Sequence, residues 1–349
     1  MSRKKYTRTS LLKGMIFFTL FVAYTGCESV LFIELEESDM LIVVNGAITN
    51  DSVVAIQVSR TRHILDNAPV LPLEQARVRL LEGGSLAAEL SYAGNGYYRA
   101  QDFIPGIGKS YTIEVENAGY PAVTAFTQIP EMVPIEKLDT ATLEVEQQGG
   151  YDYYYGYSQK YLQFDLTLKD PPGENNYYLL YAEADRSWTE YRDTTVKVVD
   201  SLYYGGQWNY FLVDSSYTIY DIHRFTDFPS ISSSDIVVEA MTSHGVLFSD
   251  QLMDGKSYSF RGQFYYDQIN AADSAIVDIR LLSVSESYYK YLKSRQSHYE
   301  TKENYLAVPV IVYSNVEEGT GFFGGYSMDE YTITTFIPEY YRDYYYYDY

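Results

Sequence analysis

The chain has 349 residues, 46% of them hydrophobic, with 47 Asp and Glu against 26 Lys and Arg and a formal net charge of −21. A field of that sign disfavours nucleic acid and anionic lipid surfaces, and suits cationic partners, peptides or metal ions. The single cysteine, Cys27, excludes an intrachain disulfide and any multi-thiolate metal site.

The first predicted element is a leader. Arg3, Lys4, Lys5, Arg8 and Lys13 precede the apolar run Met15 to Ala23, and Thr25-Gly26 place small residues before Cys27. The apolar run is shorter than the roughly 20 residues a membrane-spanning helix needs, so residues 1–26 read as a secretory signal peptide. A signal ending on a lone cysteine predicts cleavage before Cys27 and lipid attachment to it, as in bacterial lipoproteins. Residues 27–39 then form an acidic tether carrying Glu34, Glu36, Glu37 and Asp39.

Residues 40–130 carry the clearest strand pattern. Leu41 to Gly46 and Val53 to Arg60 are predicted strands around the Asn50-Asp51 turn, and His63 to Leu73 is a Pro-containing loop. Ala76 to Leu81 alternates, Glu82-Gly83-Gly84 turns, and Leu86 to Tyr92 returns. Tyr97 to Ala100, Ser110 to Glu116 and Val123 to Ile129 follow at about ten-residue spacing, the rhythm of a β-sandwich. On Gly96-Tyr97-Tyr98, Pro105-Gly106, the Tyr111, Ile113, Val115 alternation and Gly119-Tyr120, this stretch resembles the transthyretin-like sandwich modules of bacterial surface proteins. That likeness implies fold and no catalytic residue.

Pro130 and Pro134 bracket a linker into a second β-rich domain, residues 131–339. Its predicted strands are Leu143 to Glu146, Leu162 to Leu168, Tyr177 to Ala182, Tyr258 to Tyr266 and Ala275 to Ser283. Gly149 to Tyr157 is a tyrosine-rich insertion, Asp170 to Asn176 a loop, and residues 186–235 a mixture of short β-prone pieces around Gly205-Gly206. The spacing predicts one helix over 285–300, capped by Ser285, with Tyr288, Tyr291, Leu292, Arg295 and Tyr299 on one face. Val308 to Tyr313 and Tyr331 to Phe336 are predicted as closing strands, with Gly319 to Gly325 a tight turn between them. Residues 340–349 are a tyrosine-rich, low-complexity tail.

Chemistry-bearing patterns are weak. The four histidines, His63, His223, His244 and His298, are scattered singly, against the paired arrangement a metalloprotease needs. Ser287 and Lys290 match S-x-x-K, but its S-D-N and K-T-G companions are missing. Gly319 to Gly324 matches G-x-G-x-x-G in letters without opening a helix. The acidic loops lack the EF-hand calcium pattern, so no metal, cofactor or catalytic residue is assigned. Tyrosine is the outlier, at 40 residues against 16 Phe and 2 Trp. Tyrosine suits half-buried strands, and on loops its ring stacks on sugars or clasps peptides. Tyr153, Tyr154 and Tyr155 in one segment, with Tyr203, Tyr204 and Trp208 in another, are the candidate contacts for a glycan or peptide ligand.

Several segments in order carry a wider resemblance: Cys27, the acidic tether, Leu41 to Gly46, Ala76 to Leu80, Gly108 to Val115, Asn175 to Leu179, Val284 to Leu292, and Ser314 to Val316 followed by Gly319 to Gly324. Over nearly the whole exported chain this is similar to a Bacteroidetes outer-membrane lipoprotein family of unknown function (domain-of-unknown-function family 4249). The resemblance implies a lipid anchor in the outer membrane, exposure at the cell surface, and association with TonB-dependent receptors in nutrient uptake. The expectation is an all-β protein, a transthyretin/Ig-like β-sandwich followed by a β-rich domain with one helix. It is expected to act as a non-enzymatic accessory or ligand-capture lipoprotein. A structural docking subunit and, more remotely, a glycan hydrolase with an unrecognised carboxylate pair are the alternatives.

Overall fold

Alternation in the first eight strands sorts side chains cleanly between a core and solvent. In the computed structural model, which describes residues 39–63, 69–147, 157–234, 240–242, 245–252, 254–265, 274–302 and 307–336, these strands are β1 (Ile42–Thr49), β2 (Ala55–Arg60), β3 (Leu71–Pro72), β4 (Arg77–Glu82), β5 (Ser85–Gly94), β6 (Tyr97–Arg99), β7 (Ser110–Glu116) and β8 (Val123–Gln128). In β7, Tyr111, Ile113 and Val115 are fully buried while their neighbours are not. Ile42, Val44, Ile56 and Val58 from β1 and β2 share one apolar cluster with Val78, Leu80, Ile113 and Val123 from β4, β7 and β8. The sheet therefore curls over and packs on itself as a sandwich.

The second half continues through β9 (Ile135–Gln147), β10 (Tyr157–Lys169), β11 (Tyr177–Tyr204), β12 (Gln207–Asp227), β13 (Ser230–Ser232), β14 (Ala240–Met241), β15 (Gly245–Ser249), β16 (Ser257–Tyr265) and β17 (Ser274–Val284). Helix α1 (Glu286–Thr301), β18 (Val316–Glu317) and β19 (Thr320–Phe336) close the described chain. Among the described residues there is one helix, and the fold is all-β. A 15-stranded sheet runs β14-β15-β11-β17-β19-β1-β2-β6-β5-β4-β7-β8-β18, with β12 beside β11 and β3 beside β2. A separate 4-stranded sheet runs β13-β16-β10-β9.

Three layers build the second core. Phe164, Leu166, Phe260 and Phe264 of the smaller sheet face Tyr178, Leu180, Val246, Ile279 and Leu281 of the larger one. On the other face of the same strands, Leu179, Leu247, Leu282 and Val284 meet Tyr289 and Leu292 of α1. Both faces are covered, which is why all five residues of β15 are buried and its sequence, Gly-Val-Leu-Phe-Ser, does not alternate. Val316 and Phe323, far down the chain, return to the first cluster, and β19 lies parallel to β1 from Val43↔Thr320 to Thr49↔Tyr326.

Four sequence expectations are corrected here. Gly319 to Gly325 is not a tight turn: Thr320 onward is strand. The glycines serve close approach, since a Cβ on Gly321 would lie 2.1 Å from the Val44 carbonyl oxygen and one on Gly324 2.8 Å from Tyr288 Cβ. Val308 to Tyr313 is irregular chain held to α1, with Tyr313 N–H donating to Ser294 Oγ at 2.8 Å and the Val310 carbonyl 2.8 Å from His298 Nδ1. The helix begins as expected, Ser285 Oγ accepting from the Tyr288 N–H at 3.3 Å. Of its expected face, Leu292 is buried and Tyr288 and Tyr291 pack beside it against Phe322, but Tyr289 is buried as well and Tyr299 is exposed. Residues 186–235 are not fragments: most of them form one hairpin.

The buried tyrosines explain part of the composition. Tyr98, Tyr111, Tyr178 and Tyr258 are all fully buried. Tyr98 donates to the Leu73 carbonyl at 2.7 Å and accepts from Ala76 N–H at 2.9 Å. Tyr111 accepts from Gly106 N–H at 2.7 Å, and Tyr178 donates to Asp170 Oδ1. Each ring fills the core while its hydroxyl is satisfied. Tyr258 is the exception: among the described residues its hydroxyl has no hydrogen-bond partner.

Candidate functional site

The hairpin of β11 and β12 is the first candidate. All 21 residues of β12 pair with β11, from Ala184↔Asp227 to Tyr204↔Gln207. β17 accompanies β11 only as far as Ser187. Beyond that residue, among the described residues, the two strands run on alone as a ribbon roughly 55 Å long, at about 3.3 Å per residue. Gly205 and Gly206 turn it, at φ 65° and 84°. Two-residue turns of this hand need positive φ at both positions, which glycine adopts without steric cost.

The pairing register decides which aromatics meet. Tyr203↔Trp208, Ser201↔Tyr210 and Val199↔Leu212 are successive rungs on one face of the tip. The Tyr203 and Trp208 rings are 5.3 Å apart, edge to face, and both residues remain 58% exposed. Lower on that face the rungs become polar, with Lys197 Nζ 3.1 Å from Asp214 Oδ1. Of the residues expected to act together, Tyr203 and Trp208 do meet, while Tyr204 points to the opposite face beside Leu202. Tyr153, Tyr154 and Tyr155, like Cys27, lie outside the described residues.

A cleft of about 1230 Å³ is the second candidate. Its walls include Thr112, Thr124 and Thr127 from the first sandwich, Pro171 to Tyr177 from the β10–β11 loop, Ser285 and Ser287 at the start of α1, and Asn315. Hydroxyls knit the α1 end: Ser285 Oγ lies 3.1 Å from both Thr127 Oγ1 and Ser287 Oγ, and accepts from Gly325 N–H at 3.1 Å. Ser287 donates to the Phe323 carbonyl at 3.1 Å. Lys290 is exposed and bound to Glu286 at 2.8 Å, so the S-x-x-K letters do not assemble an activated serine.

A third cluster lies behind one cleft wall. Asp170, Asp250 and Asp254 each offer a carboxylate oxygen within 4.8 Å of the others, and Asp170 and Asp250 are buried. Backbone amides orient them. Gly255 N–H donates to Asp170 at 2.8 Å, Asn176 N–H to Asp250 at 2.7 Å, and Gly173 N–H to Asp254 at 2.7 Å. Burial raises the Asp250 pKa, opposed in part by the Asn176 amide. Burial and the bond to Asp170 hold the Tyr178 hydroxyl protonated far above its ordinary range, and burial with the charge of Asp170 does the same to Tyr258.

Pattern-based reading missed this trio because no motif spaces its members. The local signals were the Asp170 to Asn176 turn residues and Asp254-Gly255, which mark loops without indicating that they meet. Among the described residues no histidine belongs to the cluster. His223 stacks on Trp188 at 4.6 Å, and His298 is tied to Val310.

Comparisons with solved structures include several remote likenesses. A Corynebacterium diphtheriae protein described as membrane anchored matches 72% of this chain and 56% of its own at 10% identity and TM-score 0.19. The full-length major pilin SpaD of the same organism matches 70% and 61% at 9% identity and TM-score 0.18. The Clostridium perfringens NetB toxin in its membrane inserted form matches 60% and 85% at 5% identity and TM-score 0.13. The chain thus spans less than two thirds of the two Corynebacterium proteins. No curated protein matches it. The domain of unknown function DUF4249 matches residues 28–332, nearly the whole described fold, and the chain belongs to that family.

Proposed function

We propose that this protein is a non-enzymatic docking lipoprotein, anchored through Cys27 in the outer membrane, whose β11–β12 ribbon engages a membrane protein partner. The observation that carries the reading is the aromatic tip: Val199, Tyr203, Trp208, Tyr210 and Leu212 form a contiguous exposed face on an arm beyond the sheet. Tyr and Trp supply large contact area at low conformational cost, and exposed apolar patches of this kind mark interaction surfaces. A small ligand would instead call for a concavity lined by these rings. The resemblance to receptor-associated lipoproteins makes a TonB-dependent receptor the partner of choice. A second reading, capture of a glycan or peptide, rests on the hydroxyl- and amide-lined cleft between Thr127, Ser287 and Asn315.

Photo-crosslinking decides between them. A crosslinker at position 201, opposite Tyr210 on the aromatic face, is expected in cells to trap an outer-membrane receptor, and one at position 315 to trap none. Crosslinks from 315 alone, or a ribbon that traps nothing, would overturn the docking reading.

A further inference from the structure

We propose that Asp170, Asp250 and Asp254 form a calcium site that locks the β10–β11 loop to the loop between β15 and β16. Three observations converge. First, the geometry fits a shared ion. Oxygens that each lie about 2.4 Å from one calcium are at most about 4.8 Å apart, and the three carboxylates meet that limit. The donors are all oxygen, which selects a hard cation over zinc or copper.

Second, among the described residues the charge has no protein counterpart: no Lys or Arg there pairs with any of the three carboxylates. The fold neutralises another carboxylate group differently: Arg280 sits among Glu183 at 2.6 Å, Asp278 at 2.8 Å and Glu330 at 2.6 Å. Two buried carboxylates beside a third, with no cation, are costly to keep ionised. A divalent ion removes that cost.

Third, the fully buried Tyr258 hydroxyl has no partner among the described residues and lies within the field of all three carboxylates. A neutral hydroxyl there is placed to bind the ion or a water on it. Tyr178 and the amides of Gly173, Asn176 and Gly255 already hold the carboxylates in orientation, the supporting arrangement expected around a metal. Pro171 to Tyr177 also forms a wall of the cleft, so the ion fixes the shape of that wall.

Terbium luminescence tests the site, because Tyr178 and Tyr258 are positioned to sensitise a lanthanide bound there. The full chain, purified in detergent and stripped with EDTA, is titrated with Tb3+ in excess Mg2+. Calcium is then used to displace it, and the melting temperature is followed with and without calcium. The expected result is saturable tyrosine-sensitised emission, displaced by calcium, with a calcium-dependent rise in melting temperature. Asp254→Asn, at an exposed position that tolerates the change, should weaken calcium binding about 10- to 100-fold, and Asp250→Asn at least as much. Absence of emission and of any calcium-dependent thermal shift in the wild type would overturn the proposal. Undiminished binding by both variants would do the same, by assigning the ion to other surface acids.

Discussion

Tyr203 and Trp208 face each other across the ribbon one rung before its turn, edge to face at 5.3 Å, yet neither is covered by the rest of the fold. An exposed aromatic pair of this kind contributes about 0.5–1.5 kcal/mol to its own hairpin. Replacing both with Ser should therefore shift global stability by no more than about 1.5 kcal/mol. Recovery of the membrane partner in a pull-down should fall about tenfold or more, since aromatic anchors dominate interface energy. Full recovery with the double variant would remove the tip from the interface.

Cys27→Ser tests the anchor independently of the ribbon. The variant is expected in the soluble fraction after export, because a body without its acyl chains loses roughly 0.8 kcal/mol of membrane affinity per methylene. Fractionation against wild type reads the outcome, and co-sedimentation equal to wild type would refute lipid anchoring.

Gly262 faces Phe164 across the β10–β16 pair, and a Cβ there would lie 2.0 Å from the ring. Phe164 is itself core, packed at 6.3 Å from Phe264. Gly262→Ala is expected to destabilise the fold by about 1–3 kcal/mol through overpacking. Urea denaturation measures it, and pairing with Phe164→Leu should recover part of the loss.

Ser285→Ala removes the α1 cap and also strands Gly325 N–H, which Ser285 Oγ accepts in the interior. Loss of a cap costs about 1 kcal/mol and an unsatisfied buried amide adds about 1–3 kcal/mol. Ser285→Thr keeps the oxygen and is expected to lie closer to wild type in thermal unfolding.

Alkaline stability follows from Tyr288, whose pKa burial pushes up to about 12. The unfolded chain ionises this group near pH 10, so between pH 10 and about 12 the unfolded state binds fewer protons than the folded one. Stability is complete below pH 10 and is lost as pH rises through that window, by up to about 1.4 kcal/mol per pH unit from this group. Tyr288→Phe should flatten that slope in denaturant melts taken at successive pH values. A slope unchanged by the substitution would show that other tyrosines carry the alkaline loss.

Local patterns revealed much of the first sandwich, because Tyr111, Ile113 and Val115 alternate with exposed neighbours and Gly83-Gly84 marks the turn. They also placed the N-cap at Ser285. The same logic failed where a strand is covered on both sides or on neither. Residues 245–249 are uniformly buried, and most of the β11–β12 ribbon is solvent-exposed on both faces, so neither carries a period-2 signal. Gly319 to Gly325 misled for a related reason: glycine indicates a turn or a close backbone approach, and only packing against Val44 and Tyr288 shows the latter.

By itself the amino-acid sequence determined an all-β chain with one capped helix and an acidic composition. Those properties follow from alternation, composition and local hydrogen bonding, which act over a few residues. Tertiary structure alone decided that Tyr203 meets Trp208 while Tyr204 turns away, since pairing register assigns faces. It alone brought Asp170 to Asp250 and Asp254, because two loops distant in sequence become neighbours only when β10 and β16 pair.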